Sequence, residues 1–221
     1  MSTQRLFVTA RSARVVVRAE PVTAISVQSG KAESVGGDVE VSSASQAVDV
    51  TVPEGTDVVI GVASGHVNCF GALGAVSVTS QSGNISVQSA REIDARSASG
   101  SIEVGVCDEL CRINAKSGRI DVGTAHTVEA TTMSGRIDIG GAEHSNTSAV
   151  SGRITIGSTG VPDIVARTSS GTVSISVPAG VTPTTRLDSK SGSVRCDCGV
   201  GDDGSIVVVT KSGAIKIESR S

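Results

Sequence analysis

Five cysteines and three histidines are the side chains of this sequence best suited to hold a metal ion. Thiolate and imidazole are both zinc ligands. Cys107, His126 and His144 follow successive Ser-Gly pairs by 8, 9 and 10 residues, so they and the nearby Cys111 form one candidate cluster. Neither C-x-x-x-C at 107–111 nor C-x-C at 196–198 is a standard zinc spacing, however. The plainer reading is scattered connection residues, and no metal or other cofactor is expected. Cys69 and Cys196 stand where neighbouring repeats carry Val or Ile, which suits small core hydrophobes. Period two puts Cys198 on the same face as Cys196. His66 is a lone outward residue.

Anion binding is a second possible chemistry. Arg119, Arg136 and Arg153 recur at one repeat position, with Asp121 and Asp138 two residues beyond the first two. Stacked repeats would turn these into a surface ladder of ion pairs, each worth little in water. Carboxylates are the third candidates. Glycoside-cleaving enzymes need a converging pair at defined separation, and Glu103, Asp121 and Asp138 share one column. They alternate with arginine, and no sugar-stacking surface accompanies them: the 221 residues include two Phe, no Tyr and no Trp. There is no phosphate loop, no G-x-S-x-G, and no nucleophile with an identifiable base. The expectation is a protein without enzymatic activity or a small-molecule substrate.

The elements that carry these residues are legible from a repeat. Ser-Gly followed by x-[Val/Ile]-x-[Val/Ile/Cys] recurs at Ser64-Gly65, Ser82-Gly83, Ser99-Gly100, Ser117-Gly118, Ser134-Gly135, Ser151-Gly152, Ser170-Gly171, Ser191-Gly192 and Ser212-Gly213. Successive Ser numbers differ by 18, 17, 18, 17, 17, 19, 21 and 21, and the longer units contain Pro162, Pro178 and Pro183. Counting each Ser as zero, positions minus six and minus four are mostly apolar, minus two is small, and plus three and plus five are apolar. Strict alternation marks half-buried strands. Each unit therefore reads as strand, Ser-Gly corner, strand and connection, with Gly supplying the corner backbone and Ser free to bond the stacked backbone. A unit this short buries its apolar face only against a copy of itself. The rival, a hairpin meander, needs turn signals such as Asn-Gly that are missing.

The expected fold is all-β: a single-domain parallel β-helix with coils of about 17–21 residues. Residues 1–28 are read as an N-terminal β cap, whose first strands pair antiparallel across the end, and 29–221 as one continuous repeat domain. Ile215 and Ile217 are expected at a bare C-terminal edge, blunted only by Lys211, Lys216 and Arg220. A net charge of -3 gives no footprint for nucleic acid. No 18-residue apolar run exists, so no membrane span is expected. No apolar h-region opens the sequence. Together with an odd cysteine count, this points to the cytoplasm.

The Ser-Gly-x-[Ile/Val]-x-[Val/Ile] units, with the Val-Pro-x-Gly starts at Val52 and Val177, resemble the adhesin-type β-strand-repeat family known as domain of unknown function 4097, over about residues 14–218. The resemblance implies right-handed winding, no established enzymatic activity, and an adhesion label. Three roles follow as expectations: a binding scaffold for a protein partner, a solenoid that self-associates through its C-terminal edge as bactofilin rods do, or a surface adhesin.

Overall fold

A computed structural model describes residues 4–220. They are all-β, with no helix among them. The chain forms two compact units, Met1–Glu109 and Leu110–Ser221.

The first unit contains β1 (Arg5–Ser12), β2 (Val15–Glu20), β3 (Ser26–Ser29), β4 (Lys31–Val35), β5 (Asp38–Ser43), β6 (Val48–Pro53), β7 (Asp57–Ser64), β8 (Val67–Ser82) and β9 (Ile85–Ser99). Its long strands pair in parallel, with inward residues of one rung over those of the next. Val15 pairs with both Val48 and Val67, and Val67 with Ile85. The alternation read from sequence is thus stacked in columns, at the ~4.8 Å spacing of hydrogen-bonded strands. Each inward Val or Ile removed from water contributes about 1.5–3 kcal/mol. No aromatic side chain is buried among the described residues, and Phe70 is 42% exposed.

The order of the rungs departs from the order of the chain. β1 lies between β5 and β7, and β2 between β6 and β8. Residues 5–20 are thus the second rung, and the later segment 38–53 is the first. The antiparallel pairing belongs to β3 on β6 and β4 on β5. It falls at residues 26–35, not on the first strands as expected. The rung at 5–20 has no Ser-Gly: Ser12-Ala13 forms its corner, with Leu6, Val8, Val15 and Val17 inside.

In the second unit β10 (Ile102–Pro178), which begins in the first, is followed by β11 (Thr184–Ser191), β12 (Val194–Asp197), β13 (Ser205–Ser212) and β14 (Ile215–Arg220). Here too a later segment is inserted. β13 pairs in parallel with both β10 and β11, and β14 with both β10 and β12. Ile215 therefore sits between Val173 and Val194, and Ile217 is fully buried. The expected bare edge at Ile215 and Ile217 is corrected: the uncovered rung is β11–β12. The misplacement has a physical reason. Val173, Val194 and Ile215 are equivalent knobs, so their pattern states which way they point but not which rung lies on which.

The corners also differ from expectation in one respect. The Ser at each corner is exposed. At the corners of Ser99 and Ser170 the buried hydroxyl two residues earlier donates instead, Ser97 to the carbonyl of Ser99 at 3.0 Å and Thr168 to that of Ser170 at 3.3 Å.

Candidate functional site

The outer surface of the second unit carries the groups singled out by their chemistry. Successive rungs in its middle are 17 residues apart, so equivalent positions form outward columns. His126 and Glu143 share one column, and His144 and Asp163 share the next. His126 Nδ1 lies 3.2 Å from Glu143 Oε2, and His144 Nδ1 lies 3.5 Å from Asp163 Oδ2. The two rings meet edge to face, with centroids 5.4 Å apart. One donor atom from each of His126, Glu143 and His144 falls within 4.8 Å of the others. The cysteines proposed for this cluster are not its partners. Cys107 is buried in the first unit, its thiol 3.6 Å from the Arg91 carbonyl, and Cys111 is buried in the second. Glu143 was the member missed. Its signal is the interval from His126, one full rung.

On the strand after the corner, Arg119 reaches Asp121 at 2.6 Å and Asp138 of the next rung at 3.3 Å, and Arg136 reaches Asp138 at 2.6 Å. The columns therefore interlock as a zigzag. Arg153 has Thr155 where its neighbours have Asp, and makes no ion pair among the described residues. On the other side of the same corners, Met133 and Val150 occupy one column, 58% and 55% exposed. This apolar pair has no counterpart at Lys116 one rung away.

The uncovered rung is a third feature. Val194 is 47% exposed, although its equivalents Val173 and Ile215 are fully buried or nearly so. Cys196 and Cys198 lie here with their sulfurs 2.8 Å apart. Burial, and then the bond to Cys196, push the Cys198 thiol up to about 11. Cys69, inside the first unit, is pushed up to about 12 by burial alone.

No helix among the described residues is long and apolar enough to cross a membrane. No curated protein matches the chain. Among solved structures, an adhesin candidate from Bacteroides fragilis is similar over 97% of this chain and 92% of its own, at 14% identity and a TM-score of 0.53. A cell-adhesion candidate from Clostridium sporogenes aligns over 98% and 93%, at 9% identity and a TM-score of 0.21. The first likeness concerns the fold alone. The family model named Toastrack DUF4097 matches residues 9–220, almost every stacked rung described above. The chain belongs to that β-solenoid-like family.

Proposed function

We propose that this protein is a non-enzymatic binding scaffold whose second unit presents its corner ridge to a protein partner. The supporting observation is the exposed column of Met133 and Val150, flanked across the corner by the arginine column. Methionine and arginine are enriched at protein interfaces, where a small apolar centre is ringed by polar groups. Arg153, without an acidic neighbour on its own strand, suits a partner segment carrying a carboxylate beside aliphatic side chains. The test compares proteins retained from native extract by wild type, by Met133→Lys/Val150→Lys, and by Arg119→Ala/Arg136→Ala/Arg153→Ala. A partner lost with both variants is the expected result. Retention unaffected by either variant ends the reading.

A second reading is self-association, favoured by the uncovered β11–β12 rung. An edge with free backbone groups and a half-exposed apolar column is a template for another strand. Wild type is then a dimer by light scattering, and Val194→Lys/Cys196→Lys a monomer. A monomeric wild type removes this reading.

The scaffold reading carries with it right-handed winding, which the family implies, and residence in the cytoplasm. An odd count of five cysteines suits a reducing compartment. Surface adhesion, the role suggested for the Bacteroides fragilis protein, requires export. Cell fractionation separates the two.

A further inference from the structure

We propose that His126, Glu143 and His144 form a surface site for a zinc-class divalent metal ion, with Asp163 as the positioning residue behind His144. Imidazole nitrogen and carboxylate oxygen bind Zn2+ at about 2.0–2.2 Å, so neighbouring donors in a tetrahedral site lie roughly 3.4 Å apart. The three donors here are already within 4.8 Å of one another. All belong to exposed side chains, so rotation about side-chain bonds closes the remaining distance without moving the backbone.

The backbone arrangement favours the site. Glu143 and His144 are sequence neighbours on one rung, and His126 sits one rung away in the column of Glu143. Hydrogen-bonded strands hold these rungs ~4.8 Å apart. The donors are thus carried on paired strands, which fix them more firmly than a loop does. The outer groups also fit. Metal-bound histidine commonly gives its second ring nitrogen to a carboxylate, which sets the tautomer and the ring direction. Asp163 Oδ2, 3.5 Å from His144 Nδ1, stands in that position. His144 and Asp163 border one shallow depression with Thr127 and Asn146, and exposure of all three ligand residues leaves the metal position open to solvent. Two carboxylates beside two imidazoles make the locality attractive to a cation. Three protein donors leave one tetrahedral position for water or for a donor from another molecule.

The test uses tag-free protein treated with chelator and dialysed, then titrated with Zn2+ and, for its visible spectrum, with Co2+. The Cys196–Cys198 thiols are the competing ligands, so Cys196→Ser/Cys198→Ser is the control variant. The expected result is one equivalent of metal per chain in wild type and in that control, with no thiolate-to-cobalt charge-transfer band. His126→Ala and His144→Ala each weaken binding by at least the ~10–100-fold that loss of an outer-shell partner costs. Asp163→Asn weakens it by ~10-fold. Circular dichroism confirms that these surface variants keep their strands. No binding by wild type, binding that disappears with the cysteines, or binding indifferent to both histidines overturns the site.

Discussion

Gly135 stands directly over the carbonyl oxygen of Gly118. A Cβ placed on Gly135 would lie 1.9 Å from that oxygen, and its φ of 149° is one that L side chains rarely adopt. The next corner repeats the relationship, with a Cβ on Gly152 1.8 Å from the Gly135 carbonyl. These two corners approach too closely for any side chain.

Gly135→Ala should therefore fall at the severe end of single substitutions, about 3 kcal/mol or more. Gly160→Ala is the matched control, since nothing lies within 4 Å of its added carbon. Urea denaturation of the two variants beside wild type reads the difference. Equal midpoints would contradict the close approach.

Ser145 and Thr147 occupy inward positions that are apolar in most rungs. They are 3% and 0% exposed, and neither hydroxyl has a hydrogen-bond partner. An unsatisfied buried hydroxyl costs about 1–3 kcal/mol. Thr147→Val keeps the shape and removes the hydroxyl, so it should stabilise the protein by about 1 kcal/mol. A lowered melting temperature would show that the hydroxyl is satisfied.

Cys69 links stability to alkaline pH. Its thiol is raised from an ordinary 9.0 to about 12 by burial, so the unfolded chain ionises first. The stability this group contributes is complete below pH 9 and is lost as pH rises from 9 to about 12. The urea midpoint of wild type should fall more steeply across that window than that of Cys69→Val. Parallel curves would refute the assignment.

Cys198 should be slow to alkylate. With its thiol raised to about 11, first by burial and then by the bond to Cys196, roughly one molecule in 1,000 carries the thiolate at pH 8. Cys196→Ala removes the second cause and should speed iodoacetamide labelling of Cys198, read by mass spectrometry. An unchanged rate would mean that burial acts alone.

How far the sequence was readable follows from what each residue encodes. Ile120, Val122, Ile137 and Ile139 alternate after a Ser-Gly and are fully buried or nearly so. Burial has a local signature of period two. The rung at 5–20 was harder to see because Ala13 replaces Gly, and the one at 38–53 because its strands β5 and β6 are joined through Ser45 and Gln46. Rung order was not readable at all. Val15 finds equivalent valines in Val48 and Val67, and which of them is next in the chain has no local signature. The histidine site was half legible. His126 and His144 attract notice by type, whereas Glu143 is distinguished only by its place one rung from His126.

Insertion of residues 205–220 between 163–178 and 184–197 makes assembly non-sequential. The outer segment is synthesised first but has no surface to rest on until the inner one arrives. A nascent chain that has not yet reached Ser205 leaves Val173 and Ile175 open to water, with β11 and β12 waiting beside them. Closure of that gap is a late, long-range step of the kind that slows folding. Until it occurs, the unfilled slot is where another β-strand would most readily intrude.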